Sequence, residues 1–198
     1  MNGLEVDKVG KFIEEHVANV RYLGCHMVDD CHKLYPGGIG GTSFGIINVL
    51  PSYSDPSDMG HYILLAHKGN RLLCFDSYGL SVRDYSPYLA SYIDKCKGTG
   101  YKVIEVRKRL QGSASLVCGL YCLYIGYIIA IHGLTGVYKI IRRRFSNTFS
   151  KNDRTVVSLC YSIFPLPGCV RTFCTQSNYM SFERCRTLLC GVSRRGWS

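Results

Sequence analysis

The sequence predicts an α+β fold in which a mixed central β-sheet packs against a buried helix. Three patterns support this prediction. Residues 111–138 contain no Asp, Glu, Lys or Arg, which indicates a long buried helix. Two short apolar runs joined by a tight turn, 61–66 and 71–76, predict a β-hairpin. Residues 4–20 carry apolar side chains at helical spacing, which predicts a further, amphipathic helix.

Length and composition indicate one globular domain spanning residues 1–198. Hydrophobic residues make up 46% of the chain and charged residues 19%, which excludes a disordered protein. The 11 cysteines are an odd number, so at least one thiol has no intramolecular partner. The N-terminus is polar and lacks the apolar run of a secretory signal, so we expect an intracellular reducing compartment and free thiols.

The uncharged stretch also has to be weighed as a membrane span. Its apolar part, 116–131, is shorter than the roughly 20 residues that a span needs, and it contains two glycines. We therefore predict a buried central helix and no membrane span. The remaining predicted elements are strands at 44–50 and 101–106 and helices at 82–96, 113–132, 134–145 and 154–161, with loops at 35–41 and 51–60.

The hairpin brings together two residues with complementary chemistry. With Lys68-Gly69 as a two-residue turn, His61 directly faces Asp76. Directly opposed residues point to the same side of a sheet, with Cβ atoms about 5 Å apart. The hairpin therefore places an imidazole next to a carboxylate, which is how a general base is paired with the group that orients it.

The start of the uncharged helix carries a candidate nucleophile. Either Ser113 or Ser115 is a good N-cap, and with Ser115 as the cap Cys118 lies in the first helical turn. The positive end of the helix dipole favours a thiolate there. Gln111 precedes the helix on a glycine-broken loop, so its amide can reach back to stabilise an oxyanion. Gly119 is expected to keep the space beside the sulfur open. The competing interpretation is a small buried hydrophobic side chain, the commonest role of an unpaired cysteine.

The order of these motifs resembles the adenovirus protease (adenain) family of cysteine proteases over about residues 4–132. The seven residues from Gln111 to Cys118 match the spacing in that family. The resemblance implies Cys118 as nucleophile, His61 as base, Asp76 as its orienting group and Gln111 in the oxyanion hole. The segments that carry the resemblance are His61, Phe75-Asp76-Ser77-Tyr78-Gly79, Gln111-Gly112 and Cys118-Gly119-Leu120-Tyr121-Cys122, with weaker matches at Tyr22-Leu23-Gly24 and Tyr35-Pro36-Gly37.

The resemblance also implies a biological role. Members of the family are viral endopeptidases, so we expect cleavage of capsid or core precursors at glycine-containing sites, in the virion and the host nucleus, by a monomer. The chemistry needs no cofactor, but the family is activated by DNA and by a viral peptide attached through a disulfide. Gly100 stands where the cysteine for that disulfide is expected, and the nearest cysteine is Cys96.

Two departures from the family pattern keep alternatives open. Asp76 stands where adenoviral enzymes usually have Glu, whereas the related proteases of SUMO and ubiquitin-like modifiers use Asp. Tyr62 stands where both groups usually have Trp. An isopeptidase that removes ubiquitin-like modifiers is therefore one alternative. A non-enzymatic, DNA-binding virion protein is another.

The charge distribution predicts a polyanionic partner. The net charge is +10: residues 1–100 carry 9 Lys/Arg and 11 Asp/Glu, whereas residues 101–198 carry 15 and 3. We predict that a basic run binds DNA, although the same run is also compatible with a solvated helix face. The predicted DNA-binding residues are Lys139, Arg142, Arg143 and Arg144.

Several other candidates are set aside on sequence grounds. His67 is placed at the hairpin tip as a solvated residue, and Cys122 in the core. Cys25-His26 and Cys31-His32 lack zinc-finger spacing, so no metal site is predicted. The basic, cysteine-rich part at 132–198 contains no Cys-x-x-Cys pair, and its thiols are predicted to be free: Cys160, Cys169, Cys174, Cys185 and Cys190.

Overall fold

A mixed sheet of five strands forms the centre of the fold in a computed structural model that describes residues 3–35, 40–55, 58 and 60–164. The predicted free thiols Cys169, Cys174, Cys185 and Cys190 lie outside the described residues, as do residues 36–39 of the predicted loop. The strands are β1 Val20–Met27, β2 Thr42–Asn48, β3 Tyr62–Lys68, β4 Arg71–Phe75 and β5 Lys102–Val106.

The strands lie side by side in their chain order. The pairs β1–β2 and β4–β5 are parallel, whereas β2–β3 and β3–β4 are antiparallel. This arrangement confirms the predicted α+β class with a mixed sheet. The helices are α1 Gly3–His16, α2 Pro87–Gly98, α3 Cys118–Arg144 and α4 Phe149–Ile163, with short 3₁₀ turns at Val28–Leu34 and Val82–Tyr85.

The sheet separates two hydrophobic layers, because successive side chains of a strand point to opposite faces. Leu64 and Ala66 of β3 pack with α1, α3 and α4. Ile63 and Leu65 of the same strand pack with α2 on the other face. The central strand is therefore buried on both sides, which explains its unbroken apolar sequence.

The hairpin turn differs from the predicted one. Lys68 pairs with Arg71 and Leu64 with Phe75, so the turn is Gly69-Asn70 and not Lys68-Gly69. Gly69 has φ 55°, which suits the first position of a turn that glycine favours in two-residue hairpins. The prediction for His67 is also wrong, because this residue pairs within the hairpin and is only 2% exposed.

The first strand was not predicted, and the first helix was predicted too long. The helix α1 ends at His16, and Asn19 adopts φ 64°, a left-handed conformation that Asn tolerates better than most residues. The chain then enters β1, whose pairing with β2 joins segments about twenty residues apart. Local periodicity carries no signal for such a pairing.

The long helix α3 begins later than predicted. Neither Ser113 nor Ser115 caps it: the cap position is Val117, and Ser115 instead closes a turn with Gly112. Its backbone is interrupted at Gly133, with φ 67° and ψ −177°, near the predicted boundary between two helices. Within the described residues α3 is long and apolar enough to cross a membrane, but 72% of its most apolar window is buried inside the protein. This burial supports the prediction of a central core helix.

Candidate active site

Three elements meet at one end of the sheet and bring the candidate residues together. His61 directly precedes β3, Asp76 directly follows β4, and Cys118 is the first residue of α3. The Nε2–H of His61 donates to Oδ1 of Asp76 over 2.6 Å. The His61 side chain is 12% exposed and the Asp76 side chain 0% exposed, so this pair lies in a largely desolvated site.

His61 and Asp76 are in contact as predicted, although the predicted register of the hairpin is wrong. The observed pairing shifts each partner by two residues, and a shift of two keeps every side chain on its original face. His61 and Asp76 are therefore diagonal neighbours beyond the last paired residues and not direct partners. Diagonal neighbours remain within reach of long side chains.

The carboxylate of Asp76 is held in its charged form by several donors. Burial alone would raise the pKa of Asp76, but hydrogen bonds from His61 and from the backbone N–H groups of Tyr78 and Leu80 lower it below its ordinary value. These two N–H groups lie 3.0 and 2.8 Å from the carboxylate oxygens, and the hydroxyl of Tyr85 lies 3.2 Å away. Asp76 can therefore both orient His61 and balance its positive charge.

The environment of His61 favours the imidazolium form. Burial lowers the pKa of His61, but hydrogen bonds to Asp76 and Cys118 outweigh it and raise the pKa to about 9. Because Nε2 is bound to Asp76, Nδ1 is the ring nitrogen that remains for the hydrogen bond to Cys118. The rings of Tyr78 and Tyr85 stack on the imidazole with centroids 4.6 and 5.5 Å away, an arrangement that attracts a cationic ring.

Cys118 differs chemically from the other described cysteines. It is 8% exposed, and burial raises its pKa, but hydrogen bonds from His61 and from the N–H groups of Tyr62 and Gly119 bring the pKa below its usual value. The neighbouring Cys122 is fully buried, donates to the carbonyl of Tyr62 at 3.3 Å and has a pKa raised well above normal. Burial also raises the pKa of the remaining described cysteines: Cys25, Cys31, Cys74, Cys96 and Cys160.

Gln111 is fully buried, and its amide has one defined orientation. Ser77 Oγ donates to Oε1 over 2.5 Å, and Nε2 donates to the carbonyl of Ser115 over 2.6 Å. The second N–H of Nε2 has only a long contact of 3.5 Å, to the hydroxyl of Tyr78. Tyr78 is the residue that also stacks on His61. This second N–H is therefore available for a stronger acceptor next to the histidine.

The expected role of Gly119 is wrong. A Cβ atom at this position would lie 3.3 Å from Val6 Cγ2 and 3.5 Å from Tyr62 Cδ2. The missing side chain therefore allows α1 and the ring of Tyr62 to pack closely on α3. It does not leave open space beside the sulfur.

Some residues of the site were missed at the sequence level. Ser77 and Tyr78 orient Gln111 and contact His61, and they directly follow Asp76 in the motif, so their position was a usable signal. Tyr85 donates to Asp76 from the end of a 3₁₀ turn, and no local pattern marks it. Asn152 of α4 binds the loop that carries Gln111, from a part of the chain without a recognisable motif.

The other candidates occupy different places. Cys96 is 0% exposed, so a disulfide to an activating peptide would require local opening. Within the described ranges, no group of three or more His, Cys, Asp or Glu side chains could hold a metal ion. His26 of the Cys25-His26 pair has Nε2 2.9 Å from the carbonyl of Leu23. The predicted DNA-binding residues are all exposed near the end of α3: Lys139, Arg142, Arg143 and Arg144.

Comparison with known proteins does not assign a family. No family model matches the chain, and no curated protein does. Among solved structures, the chain is similar to AvrA delL154 with IP6 and CoA, with a TM-score of 0.38 and 15% identity, over 80% of this chain and 62% of that one. This chain thus spans less than two thirds of that structure. A similarity of this degree supports no functional argument, so function has to be argued from the site itself.

Proposed function

We propose that this protein is a cysteine peptidase in which Cys118 is the nucleophile, His61 the general base and acid, and Asp76 the group that orients the histidine. The observation that carries the proposal is that His61 is hydrogen-bonded on one side to Asp76, over 2.6 Å, and on the other to Cys118. Covalent catalysis by a thiol requires a nucleophile in contact with a base, and a third group that orients the base. The lowered pKa of Cys118 favours the thiolate, which is the nucleophilic form.

The residues present account for each step of amide hydrolysis. The Cys118 thiolate attacks the substrate carbonyl, and a C–S bond forms while the carbonyl electrons move to oxygen. The second N–H of Gln111 and the backbone N–H of Cys118 stabilise that oxyanion. The imidazolium of His61 then gives its proton to the leaving amine as the C–N bond breaks, leaving a thioester. Water, deprotonated by His61, attacks the thioester and releases the acid and the thiolate.

The resemblance to adenain extends this proposal to the substrate. It supports a viral endopeptidase that cleaves capsid and core precursor proteins in the virion and the host nucleus. The carboxylate at Asp76 favours the alternative of an isopeptidase that acts on ubiquitin-like modifiers. Both are cysteine hydrolases with the same chemistry, and they differ in the acyl group that reaches Cys118 and in the leaving amine, which is a lysine side-chain amine in an isopeptide bond.

The nucleophile is tested with a matched pair of cysteine variants. We expect Cys118→Ala to lose peptide hydrolysis and rapid labelling by iodoacetamide at neutral pH, because it removes the thiol of lowered pKa. The control, Cys122→Ser, keeps a donor for the carbonyl of Tyr62 and should retain both. Labelled sites are located by mass spectrometry of peptides. Hydrolysis retained in Cys118→Ala would contradict the proposal, and a folded wild type with no rapidly labelled cysteine would favour the non-enzymatic alternative.

A further inference from the structure

Helix α4 is bound to the backbone on both sides of Gln111. Nδ2 of Asn152 donates to the carbonyl of Leu110 over 3.0 Å. On the other side, the N–H of Gly112 donates to Oδ2 of Asp153 over 3.4 Å. The two residues that flank Gln111 are thus both bound to consecutive positions of one helix.

Asn152 is held rigidly enough to act as an anchor. It is 1% exposed, and its Nδ2 also donates to the carbonyl of Ser146 over 3.0 Å. Its Oδ1 accepts from the backbone N–H of Ser146 over 2.8 Å. Because a buried amide with unmade hydrogen bonds is costly, these contacts strongly favour one orientation of the side chain. The carbonyl of Leu110 is therefore held by a side chain that is itself anchored to the segment joining α3 to α4.

Asp153 links the same loop to the helix that begins at Cys118. Its Oδ1 lies 3.0 Å from the hydroxyl of Tyr121, which also lies 3.2 Å from the carbonyl of Leu110. Tyr121 is fully buried and lies one turn after Cys118 on α3. The cluster of Asn152, Asp153 and Tyr121 therefore fixes the Gln111 loop relative to the nucleophile.

We propose that Asn152 and Asp153 are positioning residues that hold the Gln111 amide where the oxyanion forms. This inference rests on the proposed function, because it concerns how Gln111 serves the same site. An oxyanion donor is effective only within hydrogen-bond distance of the place where charge develops, so a small shift of the loop loses much of its effect. The Cys118 thiolate itself is stabilised by His61, Tyr62 and Gly119, and α4 supplies none of these contacts.

Because different residues stabilise the thiolate and position Gln111, two reactions of the Cys118 sulfur can be compared. Alkylation by iodoacetamide needs the thiolate but forms no oxyanion. Acylation by p-nitrophenyl N-acetylglycinate passes through a tetrahedral oxyanion before p-nitrophenolate leaves. We expect Asp153→Ala and Asn152→Ala to slow acylation about tenfold. This loss is smaller than the roughly hundredfold or greater loss of rate on removing an oxyanion donor, because the Gln111 amide is displaced and not removed. Alkylation of Cys118 should stay within about twofold of the wild type, because the thiolate keeps its partners.

Two further variants distinguish positioning from folding. Asp153→Asn retains an oxygen acceptor for Tyr121 and should restore part of the acylation rate. Ser158→Ala, an exposed position on the same helix, should change neither reaction. Unchanged acylation in both alanine variants, or an equal loss of acylation and alkylation, would overturn the inference. A wild type in which Cys118 undergoes neither reaction would overturn the proposed function itself, and the positioning role with it.

Discussion

The carboxylate of Asp76 sets the protonation states of its neighbours. With this charge in place, the pKa of His61 is raised to about 9 and that of Cys118 is lowered, so the imidazolium and the thiolate favour each other. Removing the charge lowers the pKa of His61, so Cys118 loses the imidazolium whose hydrogen bond and charge lower the pKa of the thiol. A smaller fraction of Cys118 is then thiolate at any pH below the pKa of an ordinary cysteine.

The pH profile of Cys118 alkylation tests this coupling. We expect Asp76→Asn to slow alkylation by iodoacetamide at pH values below the pKa of an ordinary cysteine, by about tenfold for each unit by which the thiol pKa rises. The alkylation rates of Asp76→Asn and the wild type should converge as the pH approaches the pKa of an ordinary cysteine. The matched control is Asp94→Asn, which changes an exposed carboxylate paired with Arg83. Superimposable profiles for Asp76→Asn and the wild type would show that the carboxylate does not control the thiol.

At the scale of single residues, the sequence predicted that His61 and Asp76 meet, but not how the pair is held. The two residues were placed together from the hairpin pattern, and an even register error left the faces of the hairpin unchanged. The supporting contacts of Tyr85 with Asp76 depend on the path of the chain between elements. No periodicity or spacing encodes that path.

At the scale of elements, α3 lies against the sheet through a glycine. A Cβ atom on Gly126 would lie 2.6 Å from Cε2 of Phe44, whose ring is fully buried in β2. The ring cannot move into solvent, so an added methyl group must displace either the ring or the helix. Such overpacking of a core usually costs about 1–3 kcal/mol.

Two Gly→Ala variants in helices test this packing. We expect Gly126→Ala to reduce the free energy of unfolding by about 1–3 kcal/mol. The control is Gly98→Ala at the end of α2, where a Cβ atom meets nothing within 4 Å. Alanine is the better helix former, so this control should leave stability unchanged or raise it by up to about 1 kcal/mol. Both values come from urea denaturation followed by circular dichroism. Equal stability of the two variants would refute close contact between α3 and β2.

The elements themselves were predictable to different degrees. The β3–β4 hairpin and α3 were found because apolar runs and turn residues are local signals. The strand β1 was missed because its partner β2 lies beyond a 3₁₀ turn and a loop. The start of α3 was misplaced because the carbonyl of Ser115 accepts from the side chain of Gln111, a contact outside the helix that the capping pattern does not reveal.

At the scale of the whole molecule, charge is separated along the chain. The residues after 100 carry 15 Lys/Arg and only 3 Asp/Glu. The last turn of α3 contributes Arg142, Arg143 and Arg144, all exposed. The candidate active site depends instead on the opposite end of that helix, at Cys118. A polyanion bound through these arginines would therefore leave the sulfur accessible, and binding and catalysis can be measured separately.

The salt dependence of DNA binding tests whether these arginines contact phosphates. Neutralising each phosphate releases counterions, so affinity for duplex DNA should fall steeply as salt rises. Replacing Arg142, Arg143 and Arg144 by Gln should flatten the logarithmic salt slope by about 0.9 per lost contact, and thus by up to roughly 3. The control replaces three exposed basic residues of the acidic half, Lys8, Arg21 and Lys97.

Fluorescence anisotropy of a labelled duplex provides the measurement, and its lowest salt point is decisive. A nonspecific DNA-binding protein with this net charge should associate at micromolar concentration in about 50 mM salt. No binding under those conditions would refute the DNA interaction, and an equal slope change in the control triple would show that total charge, and not this helix end, attracts the DNA. Neither result would alter the proposal for Cys118, because the protonation state of its thiol is set by His61 and nearby backbone N–H groups.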